Sequence, residues 1–398
     1  MSECSARPYR RLGAFLVLFA ATVAGCGASS PRPQATTSDD PLRLEQAEID
    51  ALPADLRLTL AEDAHHYFRY IADRFVGLEC EVADDGPTVN LHGDAHVEQY
   101  LVTTLGRGLG DFDEATTGPV SIDLVRLGTS IRIASRMRSW DPDALWQRFL
   151  EGYLAALEDE DAAAPEPRFA VRTRATFQDD HGALLDWCDS LFQSTSSVEA
   201  ARVEVALDSY VEMLARHRPG LEPRAYEVVT IGPHRLGVGS RRASNYLIRT
   251  RGPTDDPSDD LILEAKEVTR NPRATCLPIS RRTDALRILV ADARLAYAPF
   301  QDVGFVELNG RPYWIHEWVN DYTELDVSDS SLTLTELQEV LYDVGVQLGR
   351  GHPRGLGDPY EAELRIDLRR FLIREADSIW RRAGALADAV WGAWETMR

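Results

Sequence analysis

Apolar residues open the chain's first periodic stretch at mixed steps of three and four. Leu42, Leu44, Ile49, Leu52, Leu56 and Leu60 trace such a face, and that spacing places side chains on one side of a helix. Helix is predicted from Pro41 to Phe75, split in two at Pro53, because an interior proline lacks the N–H and crowds the preceding turn. The turn signal Asp84-Asp85-Gly86-Pro87 then introduces a short strand, Thr88 to Leu91, with a second from Gln99 to Leu105. Helices follow over Ser121 to Met137, Ala144 to Leu157 and Val198 to Arg216, with an acidic, Ala/Pro-rich loop at Asp159 to Pro167. Near Tyr226 the pattern turns to strands: Val228 to Ile231, Asn245 to Arg249, Asp260 to Ala265, Phe305 to Leu308 and Pro312 to Trp318. One helix, Thr283 to Tyr297, interrupts them, and from Ser331 the chain reads as helix to its end. A β-rich segment between two α-rich ones gives an α+β fold class.

Ahead of these elements lies a different composition. Arg7, Arg10 and Arg11 precede an uncharged apolar run, Leu12 to Val23. The run is short for a transmembrane helix, which needs about 20 apolar residues. It ends in Val23-Ala24-Gly25-Cys26 and resembles a bacterial lipoprotein signal, cleaved before a lipidated cysteine. Residues 1–25 are read as that signal and residues 26–41 as a flexible Ser/Pro/Thr tether. The expected location is the cell envelope. Gly27, rather than aspartate, after Cys26 points to an outer membrane facing the periplasm in a Gram-negative source. Cys80, Cys188 and Cys276 remain, an odd number without CxxC spacing, and the pairing of any disulfide stays open.

The 398 residues carry 64 acidic and 43 basic side chains, a formal charge of −21. That balance argues against a partner held by its phosphate backbone, so nucleic acid is not expected. Of the 43 basic residues only Lys266 is lysine. Arginine replaces lysine readily on a solvated surface, but not where a compact point charge must fit.

Three clusters carry chemistry. The first runs Leu91-His92-Gly93-Asp94-Ala95-His96-Val97-Glu98-Gln99, followed by Gly110-Asp111-Phe112-Asp113-Glu114. Carboxylates at strand ends suit Mg²⁺, which takes one or two of them together with phosphate oxygens, and a carboxylate beside a hydroxyl can act as general base. The second is Gly237-Val238-Gly239-Ser240, between two strands, where backbone N–H groups can cover phosphates. The third is Lys266, on the strand after that turn.

His92-Gly93-Asp94 with Gln99 resembles the catalytic loop of aminoglycoside-phosphotransferase-like kinases, and Asp111-Phe112-Asp113 resembles their metal segment. From Ala64 to His352 the chain is similar to the bacterial family called domain of unknown function 2252, assigned to the kinase-like superfamily. The resemblance implies a two-lobed kinase-like fold with ATP and Mg²⁺ between the lobes. Asp94 would be the catalytic aspartate. Asp111, Gln99 and Asp113 would be the metal-binding residues, and Lys266 with Gly237, Gly239 and Ser240 would hold the nucleotide. His92, His96 and Asp123 would support the loop, and Asp284 would be the acidic partner of Lys266. Asp94 and Asp111 precede Gly237 and Lys266 in the chain, so the fold is expected to be circularly permuted. Residues 42–225 would form one helical part of the large lobe, 226–325 the β-rich small lobe, and 326–398 the helices that complete the large lobe. Gln99 stands where these kinases use asparagine.

Three functions are compatible with these residues. The first is an extracytoplasmic Mg-ATP-dependent phosphotransferase, or nucleotidyl transferase, of unidentified acceptor, anchored to the membrane by lipid on Cys26. The second is a catalytically silent kinase-like module that binds a nucleotide, a phosphorylated ligand or a protein. The third is a metal-dependent hydrolase using His92, Asp94, His96 and Asp111; it leaves Lys266 and the glycine turn without a role.

Overall fold

The computed structural model describes residues 40–82, 86–178, 180–192, 197–218, 220–234, 244–297, 300 and 302–398. The signal segment, Cys26, the tether as far as residue 39, and Gly237, Gly239 and Ser240 lie outside the described residues. Four helices open the described chain: α1 (Gln46–Asp50), α2 (Ala54–Glu62), α3 (Ala64–Tyr70) and α4 (Ala72–Val82). Pro53 divides the first two as expected. The further break has its own cause: the Asp63 carboxylate accepts the N–H groups of His65 and His66 and starts α3 afresh.

Strand β1 (Thr88–Leu91) pairs antiparallel with β4 (Thr116–Pro119). Between them, β2 (Tyr100–Thr103) and β3 (Arg107–Leu109) form an antiparallel hairpin. Next come α5 (Ser121–Arg138), which ends where Ser139 turns left-handed at φ 55°, and α6 (Pro142–Glu158), capped by Asp141. Two helices that the sequence pattern did not announce follow, α7 (Arg168–Arg174) and α8 (His181–Leu191), and then α9 (Ser197–His217).

The β-rich segment contains β5 (Val228–His234), β6 (Asn245–Thr250) and β7 (Leu261–Glu267), then α10 (Leu286–Leu295), then β8 (Gly304–Leu308) and β9 (Arg311–Glu317). These strands form a fully antiparallel sheet in the order β5-β6-β7-β9-β8. Asn309 and Gly310 make the two-residue turn between β8 and β9, both with positive φ, as a right-twisted hairpin requires. A third strand, β10 (Tyr322–Glu324), joins β2, and the chain closes with α11 (Leu334–Gly351) and α12 (Tyr360–Met397). The result is a mixed α+β architecture.

The sheet alternates between two faces. One buries Tyr246, Ile248, Leu263 and Ile315 against Val203, Leu207 and Tyr210 of α9. The other presents Leu247 and Ile262 to Leu184, Leu185 and Cys188 of α8. The main core lies below, where α11 packs on α6 so closely that a Cβ at Gly345 would sit 2.2 Å from the Phe149 carbonyl oxygen. Cys80 of α4 is disulfide-bonded to Cys276 in the loop after β7, and Cys188 is free and buried. Among the described residues, no helix is long and apolar enough to cross a membrane.

Candidate functional site

Strand β1 delivers the chain into the turn His92-Gly93-Asp94. Gly93 has φ 81°, and a Cβ there would lie 2.1 Å from the Glu114 carbonyl oxygen. Glycine is thus what lets the two acidic turns meet. The turn is held from below by Asp123, fully buried in the first turn of α5. Asp123 accepts the N–H of His92 at 2.7 Å and of Gly93 at 2.8 Å. It also faces His352 Nε2 at 3.2 Å, while His352 Nδ1 meets the Tyr153 hydroxyl at 2.6 Å. Burial pushes the Asp123 carboxyl up, but His352 and the backbone N–H groups outweigh it and keep the group ionised.

His92 spends Nε2 on the Gly110 carbonyl at 2.8 Å, and its Nδ1 accepts the Asp94 N–H at 3.3 Å. It is a spacer between the two turns. His96 is buried, with Nε2 3.8 Å from Asp94 Oδ2, and burial together with nearby Arg69 holds its imidazole well below the usual histidine range, so it is neutral. Asp94 is gripped at Oδ1 by the Arg126 guanidinium. Gln99 is buried in the 3₁₀ turn Val97–Gln99, and its carbonyl accepts the Gly110 N–H at 3.0 Å.

Asp111 adopts φ 56°, a left-handed conformation that aspartate tolerates better than most residues. Lys266 reaches down from β7 to meet it. Its Nζ lies 3.0 Å from Asp111 Oδ1 and 2.7 Å from Asp113 Oδ2. Asp113 also accepts the Trp314 indole N–H at 2.7 Å. Burial pushes Asp111 up, and Lys266 more than reverses that. Asp113 is raised by burial and by the Asp111 charge, while Lys266 stays protonated because its carboxylate neighbours outweigh desolvation. Glu114 is pushed up to about 7 by burial, against the opposing pull of Arg287.

The position expected for the acidic partner of Lys266 needs correction. Asp284 lies just ahead of α10, pairs with Arg282 at 3.2 Å and accepts the Leu286 N–H at 3.1 Å. It belongs to the turn that leads into α10. The partners of Lys266 are Asp111 and Asp113.

Lys266, Asp111 and Asp113 form one end of a cleft of about 770 Å³ between the five-stranded sheet and the structure beneath it. Its wall is aromatic. Trp314, His316 and Trp318 alternate along and just beyond β9, with Trp314 stacked on His316 at 4.5 Å. Trp187 of α8 meets Trp318 at 5.9 Å and closes the far end. Neither the ladder nor α8 was foreseen, although Trp-x-His-x-Trp in a strand places three rings on one face. Asp94 is not among the residues that line this cleft.

Among the described residues no group of three or more His, Cys, Asp or Glu is arranged to hold a metal ion unaided. Two carboxylates converging on a cation suit a metal that brings phosphate oxygens as its other ligands, as Mg²⁺ does. Asp111 and Asp113 fit that requirement.

The family described as "Uncharacterized protein conserved in bacteria (DUF2252)" matches residues 56–169 and 160–398. No curated protein matches the chain, and no solved structure does.

Proposed function

The chain belongs to the DUF2252 family, and we propose that it is a kinase-like phosphotransferase that takes a Mg-nucleotide in the cleft beneath the five-stranded sheet. The observation that carries this reading is Lys266 of β7 meeting Asp111, 155 residues away in sequence, and Asp113 beside it. In protein kinases the phosphate-binding lysine is on the third strand of the small lobe and a metal-binding aspartate opens the opposing turn. Strand β7 is the third of five here. A permuted order requires the end of a late helix to meet the strand that enters the catalytic loop, and Asn90 N–H donates to the His352 carbonyl at 3.0 Å.

The chemistry follows from charge. Lys266 would bind phosphate oxygens, and Asp111 with Asp113 would hold Mg²⁺, which when bound offsets phosphate charge. The acceptor's oxygen forms a bond to phosphorus as the bond to the leaving nucleoside diphosphate breaks, and the acceptor's proton passes to Asp94. The aromatic wall is suited to a planar base. In the same reading the protein is anchored in the cell envelope through Cys26, and the Cys80–Cys276 disulfide is consistent with an oxidising compartment.

Binding without transfer is the second reading. Asp94 lies off the cleft lining and is engaged by Arg126, and Gln99 replaces asparagine. One experiment tests the main proposal: thermal unfolding with ATP, with and without Mg²⁺, for the wild type and Asp111→Asn. Stabilisation that needs Mg²⁺ and is lost in the variant supports it, because a ligand of the native state raises apparent stability. No stabilisation at millimolar ATP rejects it. Stabilisation without phosphoryl transfer to any acceptor or water selects the second reading.

A further inference from the structure

We propose that Arg126 is a positioning residue for Asp94: it grips Oδ1, so that Oδ2 is the oxygen presented for the acceptor's proton. The inference rests on the phosphotransferase reading above and assigns a role to a residue outside its motifs.

Arg126 is 1% exposed on α5. Its Nε donates to Asp94 Oδ1, and a terminal nitrogen pairs with the same oxygen. The guanidinium carbon lies 4.3 Å from the ring centre of Phe68 and 5.3 Å from that of Phe75. Among the described residues, no second carboxylate pairs with it. A buried cation normally demands full pairing. Here two ring faces and one carboxylate share that task, so the ion pair is directional. Oδ2 accepts no hydrogen bond among the described residues; its neighbour is the neutral His96 at 3.8 Å.

Helix α5 therefore holds the catalytic turn twice. Asp123 takes its backbone, and Arg126, three residues on and on the same helix face, takes its carboxylate. Burial raises the Asp94 carboxyl overall, and Arg126 is the strongest influence opposing that rise. His92 and Arg69 add to Arg126, and Asp111 acts against it.

The test is the titration of the Asp94 carboxyl, followed by ¹³C NMR in the full chain and assigned with Asp94→Asn. Arg126→Met should move the midpoint upward, and Arg126→Lys should restore part of the difference. Affinity for Mg-ATP should stay unchanged in both, since Arg126 does not line the cleft. Turnover should fall by about a hundredfold in Arg126→Met with the nucleotide KM unaltered, the size of a general-base contribution. Should Arg126→Met fail to fold, the Asp94→Asn/Arg126→Met double variant should recover folding, and Arg126→Lys carries the titration. An unmoved Asp94 midpoint in a folded Arg126 variant overturns the proposal. Absence of Mg-ATP binding in the wild type overturns the phosphotransferase reading instead, and the titration reports which of the two has failed.

Discussion

The Asp123 carboxylate accepts the backbone N–H of Gly93 at 2.8 Å, and the same group accepts that of His92. One side chain thereby fixes the turn that carries Asp94. Asp123→Ala is expected to cost about 3–5 kcal/mol, because it leaves buried His352 and the N–H groups of His92 and Gly93 without their acceptor. Asp123→Asn should cost less, about 1–3 kcal/mol, since an amide oxygen satisfies one donor only. Urea unfolding of the two variants measures the difference. Equal stability to the wild type would remove the bracing role.

The disulfide ties α4 to the loop that follows the lysine strand, across 196 residues. Reducing it should lower stability by about 2–5 kcal/mol, the range for closing a long loop. Thermal unfolding with dithiothreitol should match that of Cys276→Ser without it, and the variant should no longer respond to reductant. Reductant without effect on the wild type would show that the bond contributes nothing.

Asp292 of α10 is buried, and burial pushes its carboxyl up to about 6, partly offset by the Phe300 N–H and by His316. Its folded pKa exceeds its unfolded one. The native state therefore binds more protons between about pH 4 and 6, and stability is lost as pH rises through that window. Asp292→Asn should be more stable than the wild type at pH 8 by about 1–3 kcal/mol and nearly equal to it at pH 4. A stability difference independent of pH would contradict this account.

Trp318 and Trp187 face each other at the end of the cleft away from Lys266. If a nucleobase lies there, Trp318→Ala should weaken nucleotide binding by about 1–3 kcal/mol, the value of stacking one base on an aromatic ring. Quenching of tryptophan fluorescence on titration with ATP gives the affinities. An unchanged affinity in Trp318→Ala would place the base elsewhere.

Much of this was legible in the sequence, and the limits have physical causes. The strands on both sides of Lys266 announce themselves through β-branched and aromatic runs, and the single lysine marks its own position. Gly93 and the acidic turns are local patterns, so the chain order displays them. Arg126 was hidden because nothing in the sequence separates one arginine from 41 others. His352 acquires its role only when α11 returns to β1. The partner of Lys266 was misassigned to Asp284 for the same reason: proximity along the chain favoured the next helix, whereas packing brought Asp111 and Asp113 from the other side of the fold. The pairing of Cys80 with Cys276 likewise depends on a fold that three cysteines cannot specify. Helices α7 and α8 are short and carry few buried positions, which leaves little periodicity to detect.

The central claim is that Lys266, Asp111 and Asp113 form a Mg-nucleotide site. Isothermal titration of the wild type and Lys266→Met with ATP in excess Mg²⁺ tests it most directly. The predicted result is saturable, Mg²⁺-dependent binding by the wild type that weakens at least about tenfold in the variant, as loss of a charge-assisted contact requires. Equal affinity in Lys266→Met, or no binding by the wild type at millimolar ATP, would contradict it.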